Sequence, residues 1–121
     1  MLQLLLLCLI ATLGNSMEVQ HGQLSYYASG QLRADGSKYN PKELGIALNT
    51  PPDGRLCIVS IPGGLAMVKH NDRNGNPRRL GDVSLATAQQ LGLTHVGVAV
   101  GVVVKLPSLG GHTNGVHTCG K

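Results

Sequence analysis

The chain contains no phenylalanine and no tryptophan, and three tyrosines are its whole complement of large aromatic side chains in 121 residues. Its core must therefore be filled by Val, Leu, Ile and Ala. The same scarcity argues against nucleic-acid binding: only Tyr26, Tyr27 and Tyr39 are available to stack on bases, and the basic residues form no stripe beyond Arg78-Arg79. Acidic residues are few, six against ten Lys and Arg, and the resulting charge of +4 favours approach to anionic material such as a cell wall. No apolar run reaches the ~20 residues of a membrane-spanning helix. Three cysteines are too few for a disulfide-rich scaffold. His112, His117 and Cys119 lack a fourth ligand and a recognised spacing, so no metal and no cofactor is expected.

What is abundant is glycine, seventeen residues, together with six prolines. That composition describes short strands threaded by turns rather than a helical bundle. The longest apolar run is Leu2 to Leu13, followed by the small residues Gly14-Asn15-Ser16, and residues 1–16 read as a signal peptide. A positive n-region is missing, which keeps a short apolar N-terminal segment open as the other reading of the same residues. Export to the periplasm or the exterior is the default, and it leaves roughly 100 residues for one domain. Cleavage would remove Cys8. Cys57 and Cys119 then remain as a candidate disulfide closing about 60 residues, worth about 3 to 4 kcal/mol by chain entropy.

Along the chain, Gln23 to Ala28 alternates as a first strand. Residues 34–43 hold Asp35-Gly36 and Asn40-Pro41 and read as a surface loop. Leu44 to Leu48 is a short apolar piece. Arg55 to Ile61 and Leu65 to His70, parted by Pro62-Gly63-Gly64, form the clearest hairpin signal. A loop is expected from Asn71, with Asp72 at the strand exit. Ser84 can cap a helix with Leu85, Ala88 and Leu91 on one face and Gly92 at its end. Val96 to Leu106 is a final strand in which Gly97 and Gly101 mark a bulge or a close backbone approach. Residues 107–121 read as an irregular tail.

Four short motifs in this order resemble rare lipoprotein A (RlpA), a bacterial cell-wall protein family. Ser25-Tyr26-Tyr27 with Gly30 looks like the family's opening Ser-Trp/Tyr-Tyr-Gly, and Ala34-Asp35-Gly36 like its Ala-Asn/Ser-Gly turn. Asn71-Asp72-Arg73 is similar to its Asn-Asp-Arg-Gly-Pro-Phe, and Gly81-Asp82-Val83-Ser84 to its Ile-Asp-Leu-Ser helix start. The resemblance implies a mainly β fold, a six-stranded double-psi β-barrel with one short helix, over residues 22–106. It also implies peptidoglycan glycan strands as partner and lytic transglycosylase chemistry.

Departures bear on that chemistry. Where active members carry an acid this chain has Ser37, and the family's histidine is matched by Leu48. Asp72 alone survives as a catalytic candidate. A hydrolase needs two carboxyl groups, but in a transglycosylase a sugar hydroxyl closes on its own anomeric carbon, so one residue can act first as acid and then as base. Tyr26, Tyr27, Ser37, His70, Asn71 and Arg73 are the candidate substrate-binding residues; one tyrosine is expected in the core and the other at the groove. His70 is placed near Asp72 to tune it; Asp82 is a candidate second charge there, and its preferred reading is at the start of the helix, where N-terminal amides favour an acid. Two function classes stay open: a cell-wall glycan binder that cleaves its ligand, and a non-catalytic barrel in an envelope or virion assembly. The exported product is expected to begin close to Met17 and to lack Cys8. N-terminal sequencing and intact mass with and without reductant check this, and a product still carrying Leu2 to Leu13 would refute it.

Overall fold

In the computed structural model, residues 16–30, 32–34 and 36–108 are described. The chain forms strands β1 (Glu18–Tyr27), β2 (Gly45–Leu48), β3 (Leu56–Ile61), β4 (Gly64–Arg73) and β5 (Gly81–Ser84), helix α1 (Leu85–Leu91), a 3₁₀ turn (Leu93–His95) and strand β6 (Ala99–Lys105). The six strands close in the order β1-β5-β2-β4-β3-β6 and back to β1. Two pairings are parallel, β1 with β5 and β2 with β4, and the other four are antiparallel. Closure leaves no strand without neighbours on both sides, although β1 runs on from Leu24 back to Glu18 beside β6 alone.

Each strand contributes a branched aliphatic side chain to the interior: Leu24, Ile46, Val59, Val68, Val83 and Val103 are all at most 1% exposed. Burying such a side chain contributes about 1.5–3 kcal/mol. Helix α1 and the 3₁₀ turn add Ala88, Leu91 and Leu93 to this core. Ser84 caps the helix by accepting from the Thr87 amide, and Gly92 ends it in the left-handed region at φ 80°. The β3–β4 reversal also uses a left-handed glycine, Gly63 at φ 88°.

The sequence reading misses β5 and ends β4 too early. β5 has only four residues and no visible alternation, because Gly81, Val83 and Ser84 are all buried. Asn71, Asp72 and Arg73, expected in a loop, belong to β4 because β2 pairs with it in parallel as far as Leu48↔Arg73. β1 starts earlier than the pattern suggests, at Glu18, held by β6. The last strand begins only at Ala99, after the 3₁₀ turn and a left-handed Gly97 at φ 80°. Gly101 marks a close approach, since a Cβ there would stand 2.7 Å from Leu24 Cδ1.

One irregularity shapes everything around Asp72. Ile46 pairs with His70 but Ala47 pairs with Asp72, so Asn71 is an extra residue, a β-bulge. In a regular strand positions 70 and 72 would face the same way. The extra residue reverses the phase: His70 is fully buried with Ile46, while Asp72 turns out with Ala47 and is half-buried. The Asn71 side chain lies over Gly45, where a Cβ would overlap its carboxamide.

At one end of the barrel Arg55 gathers the segments that lead into β1 and out of β6. Its guanidinium donates to the Ser16 carbonyl at 2.9 Å and the Leu106 carbonyl at 2.8 Å, and pairs with Glu18 at 3.0 Å. Leu109 to Lys121, including His112, His117 and Cys119, lie outside the described residues, so the expected partner of Cys57 does too.

Gly45→Ala is expected to cost about 1–3 kcal/mol through overpacking against Asn71. Gly75→Ala, with open space around it, should stay within about 0.5 kcal/mol of the parent. Urea denaturation of the two variants checks the contrast.

Candidate functional site

The strand registers place four residues in one row across the barrel. Ser25 on β1 pairs with Asp82 on β5, Asp82 with Ala47 on β2, and Ala47 with Asp72 on β4. Their sequence neighbours Leu24, Ile46, Leu48 and Val83 fill the core, so the row lies on the opposite face, where Ser25, Asp82 and Asp72 are half-buried and Ala47 between the two aspartates is covered, 3% exposed. Neighbouring strands lie ~4.8 Å apart, which puts the two aspartate backbones roughly 10 Å from each other across Ala47. The Ser25 hydroxyl donates to Asp82 Oδ1. Asp82, expected to serve the helix, is instead tied to β1, and the first turn of α1 holds no acid.

Three donors converge on Asp72. Its Oδ1 accepts from the Ala34 and Arg73 amides, each at 2.8 Å, and its Oδ2 accepts from the Tyr27 hydroxyl at 3.1 Å. Burial first, then the facing Asp72 carboxylate, pushes the Tyr27 phenol above its ordinary value, so it stays a donor. Tyr39 is buried; it donates to the Tyr27 carbonyl at 2.6 Å and accepts from the Leu85 amide at 3.2 Å, with its ring 4.4 Å from that of Tyr27. Arg33 pairs with Glu43 at 2.9 Å, and its amide donates to the Ser37 carbonyl at 2.7 Å. These contacts hold a loop over β1 and β2 and frame a cavity of 530 Å³ that includes Ser37, Tyr39 and the Arg33–Glu43 pair.

No protein-family model matches the chain, and no curated protein does. Solved structures do. Streptomyces papain inhibitor superposes with a TM-score of 0.60 at 22% identity, covering 73% of this chain and 93% of that one. Apo expansin from Clavibacter michiganensis gives 0.60 at 20% identity, with 74% of this chain and 50% of that one. A point mutant of the expansin in complex with cellohexaose gives 0.58 at 18%, with the same coverage. The fold is a double-psi β-barrel. At these identities the likeness carries the fold alone, and the chain spans about half the length of the expansin structures.

Within the double-psi barrel the remaining candidates separate. Tyr26 packs against the core, whereas Tyr27 meets Asp72. Arg73 is exposed and lines a separate cavity of 340 Å³ with Asn49 and Asn74. Asn71 lies beside Gly45. The bulge turns His70 inward, within reach of the Asp72 backbone rather than its carboxylate, and its Nδ1 lies 2.8 Å from Lys105 Nζ and 3.4 Å from Asp53 Oδ1. Leu48 is in the core, 3% exposed, so no imidazole could project outward from that position. Cys57 is buried too, and desolvation pushes its thiol up to about 11. Ser25, Arg33 and Tyr39 enter the site although none was named for it from sequence, and Asp82, weighed there as a second charge, enters it through Ser25. Only the Ser25↔Asp82 register brings these two together, and no local pattern encodes that register.

The inward cluster titrates. Burial, reinforced by the Lys105 charge, pulls His70 below 6.5. Burial alone would raise Asp53, but hydrogen bonds from Lys105 and the Arg55 amide, with the charges of Lys105 and His70, together hold it below 3.8. Lys105 Nζ lies 2.6 Å from Asp53 Oδ2. Below pH 6.5 the unfolded chain takes up a proton that folded His70 refuses, so stability is lost as pH falls towards the folded value. Asp53 adds a further loss as pH falls through 3.8 and below. The urea midpoint should therefore drop between pH 7.5 and 5.5, and His70→Gln should flatten that drop; an unchanged slope would refute the assignment.

Proposed function

We propose that the protein is an exported barrel that binds cell-wall glycan strands, peptidoglycan first, along the row from Ser25 to Asp72, without cutting them. The observation that carries this reading is the row itself: a hydroxyl and two half-buried carboxylates from β1, β5 and β4 on the face turned away from the core, bordered by Tyr27. Sugar hydroxyls donate to carboxylates through charge-assisted hydrogen bonds, and a strip about 14 Å wide accommodates a few rings of an extended strand. A solved neighbour of the same fold, an expansin, was captured with cellohexaose, which supports a polysaccharide as the ligand class. The Leu2 to Leu13 run supports export, and the charge of +4 suits an anionic wall.

Binding without turnover is favoured by how Asp72 is used. Both its oxygens accept hydrogen bonds that hold the loop at Ala34 and the end of β4, so the side chain serves first as an anchor. A transglycosylase acid must instead aim a proton at the glycosidic oxygen. The second reading, lytic cleavage, has one observation in its favour: Asp82 brings a second carboxylate to the same row.

Purified murein sacculi separate the two. The exported protein is expected to sediment with sacculi and release no anhydro-sugar products, and Asp72→Asn should lower the bound fraction several-fold. Anhydro products from the parent and none from Asp72→Asn would establish cleavage. Failure to sediment would remove the glycan reading and leave a structural barrel.

A further inference from the structure

On one side of the barrel the sheet is apolar on both faces. Strands β1, β6, β3 and β4 run there side by side, each antiparallel to the next. The residues that alternate with buried Val59, Val68 and Val103 point away from the core. The registers align Val19, Val104, Ile58 and Met67 in one row across all four strands. Val102 and Leu65 stand in the next row with His21 and Ser60, and Leu56 and Val100 extend the surface at its two ends. Val19, Leu56, Leu65, Met67, Val100 and Val102 are 38% to 64% exposed. An antiparallel sheet with one solvated face ordinarily turns polar residues to the water. Among the described residues this face carries no acid, and Lys69, opposite Leu56, is its one lysine. Four strands ~4.8 Å apart, followed over six residues of ~3.4 Å, give a footprint of roughly 400 Å², at the upper end of what a monomer leaves open.

We propose that this face is the contact surface of a homodimer, two copies packed sheet on sheet. Other occupants lack what they need. A lipid surface is held by Trp or Phe beside a basic rim, but the chain has neither residue, and Tyr27 and Tyr39 lie at Asp72. A charged partner would find Lys69 alone. A second copy brings an equally flat, branched-aliphatic surface, and two such sheets pack ~10 Å apart with their side chains interdigitated. Met67, unbranched and adaptable, suits the centre of such a contact. Because the same patch serves both copies, the assembly closes at two and does not grow into a fibre. Two facing patches remove on the order of 1,000 Å² from water, the lower bound of a specific interface, so the dissociation constant should be about micromolar. The Asp72 row crosses β5 and β2 on the opposite side of the barrel, and pairing leaves it open in both copies. On the glycan-binding reading the dimer is then bivalent and gains avidity on a wall with many strands; the dimer itself does not depend on that reading.

Sedimentation velocity of the exported protein from about 1 to 300 μM tests the inference, a range that brackets the affinity of so small an interface. The weight-average mass is expected to rise from one chain towards two, and the rise should persist in high salt, because apolar contact is not screened. Val102→Lys together with Met67→Lys should hold the mass at one chain throughout, whereas Gln89→Lys, on the exposed side of α1, should leave the dimer unchanged. Should the double variant fail to fold, the parent decides: its Met67 methyl resonance should shift on dilution. A single-chain mass at every concentration overturns the dimer and leaves glycan binding untouched. A dimer that survives the lysine pair, or whose dilution leaves Met67 unmoved, overturns this face as its contact.

Discussion

The outward face of this barrel depends on one contact, the Asn71 carboxamide seated over the bare Cα of Gly45. Strand β4 enters the sheet with alternate residues Ala66, Val68 and His70 pointing inward. Left regular, it would bury the Asp72 carboxylate behind them, where a charge without a partner is heavily penalised. The inserted residue shifts the phase by one, and only a residue without a side chain on β2 leaves room for it. Function and folding meet here, because the device that keeps a charge out of the core is also the one that presents it.

The opposite side of that phase shift explains the buried polar cluster. Turned inward, His70 needs a partner, and it finds the Lys105 ammonium, itself held by Asp53 from the loop before β3. Three groups from three separate segments thus replace what water would otherwise supply. Losing the Asp53 partner leaves His70 and Lys105 buried and uncompensated, which is why such clusters make stability depend on pH. The outward and inward polar groups of β4 are two products of one local rearrangement.

Much of this was legible in residue order wherever the signal is local. Pro62-Gly63 announced the hairpin, Ser84 and Gly92 bracketed the helix, and Gly101 announced a tight approach, because each acts through its own backbone. β5 was hidden because four residues buried on both faces show no period. The bulge was hidden because it is a relation between Asn71 and Gly45, far apart in the chain. His70 was therefore expected beside the Asp72 carboxylate, and the tie of Asp82 to Ser25 had no local signal. Among the tyrosines, one inside and one outside was readable from alternation alone, whereas the role of Tyr39 as a strut between Tyr27 and Leu85 depends on a loop closing over the barrel.

Arg55 has a topological corollary. Because a single guanidinium holds both the Ser16 and the Leu106 carbonyls, the backbone enters and leaves the barrel at neighbouring points. A short peptide could bridge those points without disturbing a strand, and fresh termini could be opened in the exposed stretch from Gly75 to Arg78. The architecture is in that sense a ring cut at one place, and the position of the cut is independent of the face that carries the carboxylates.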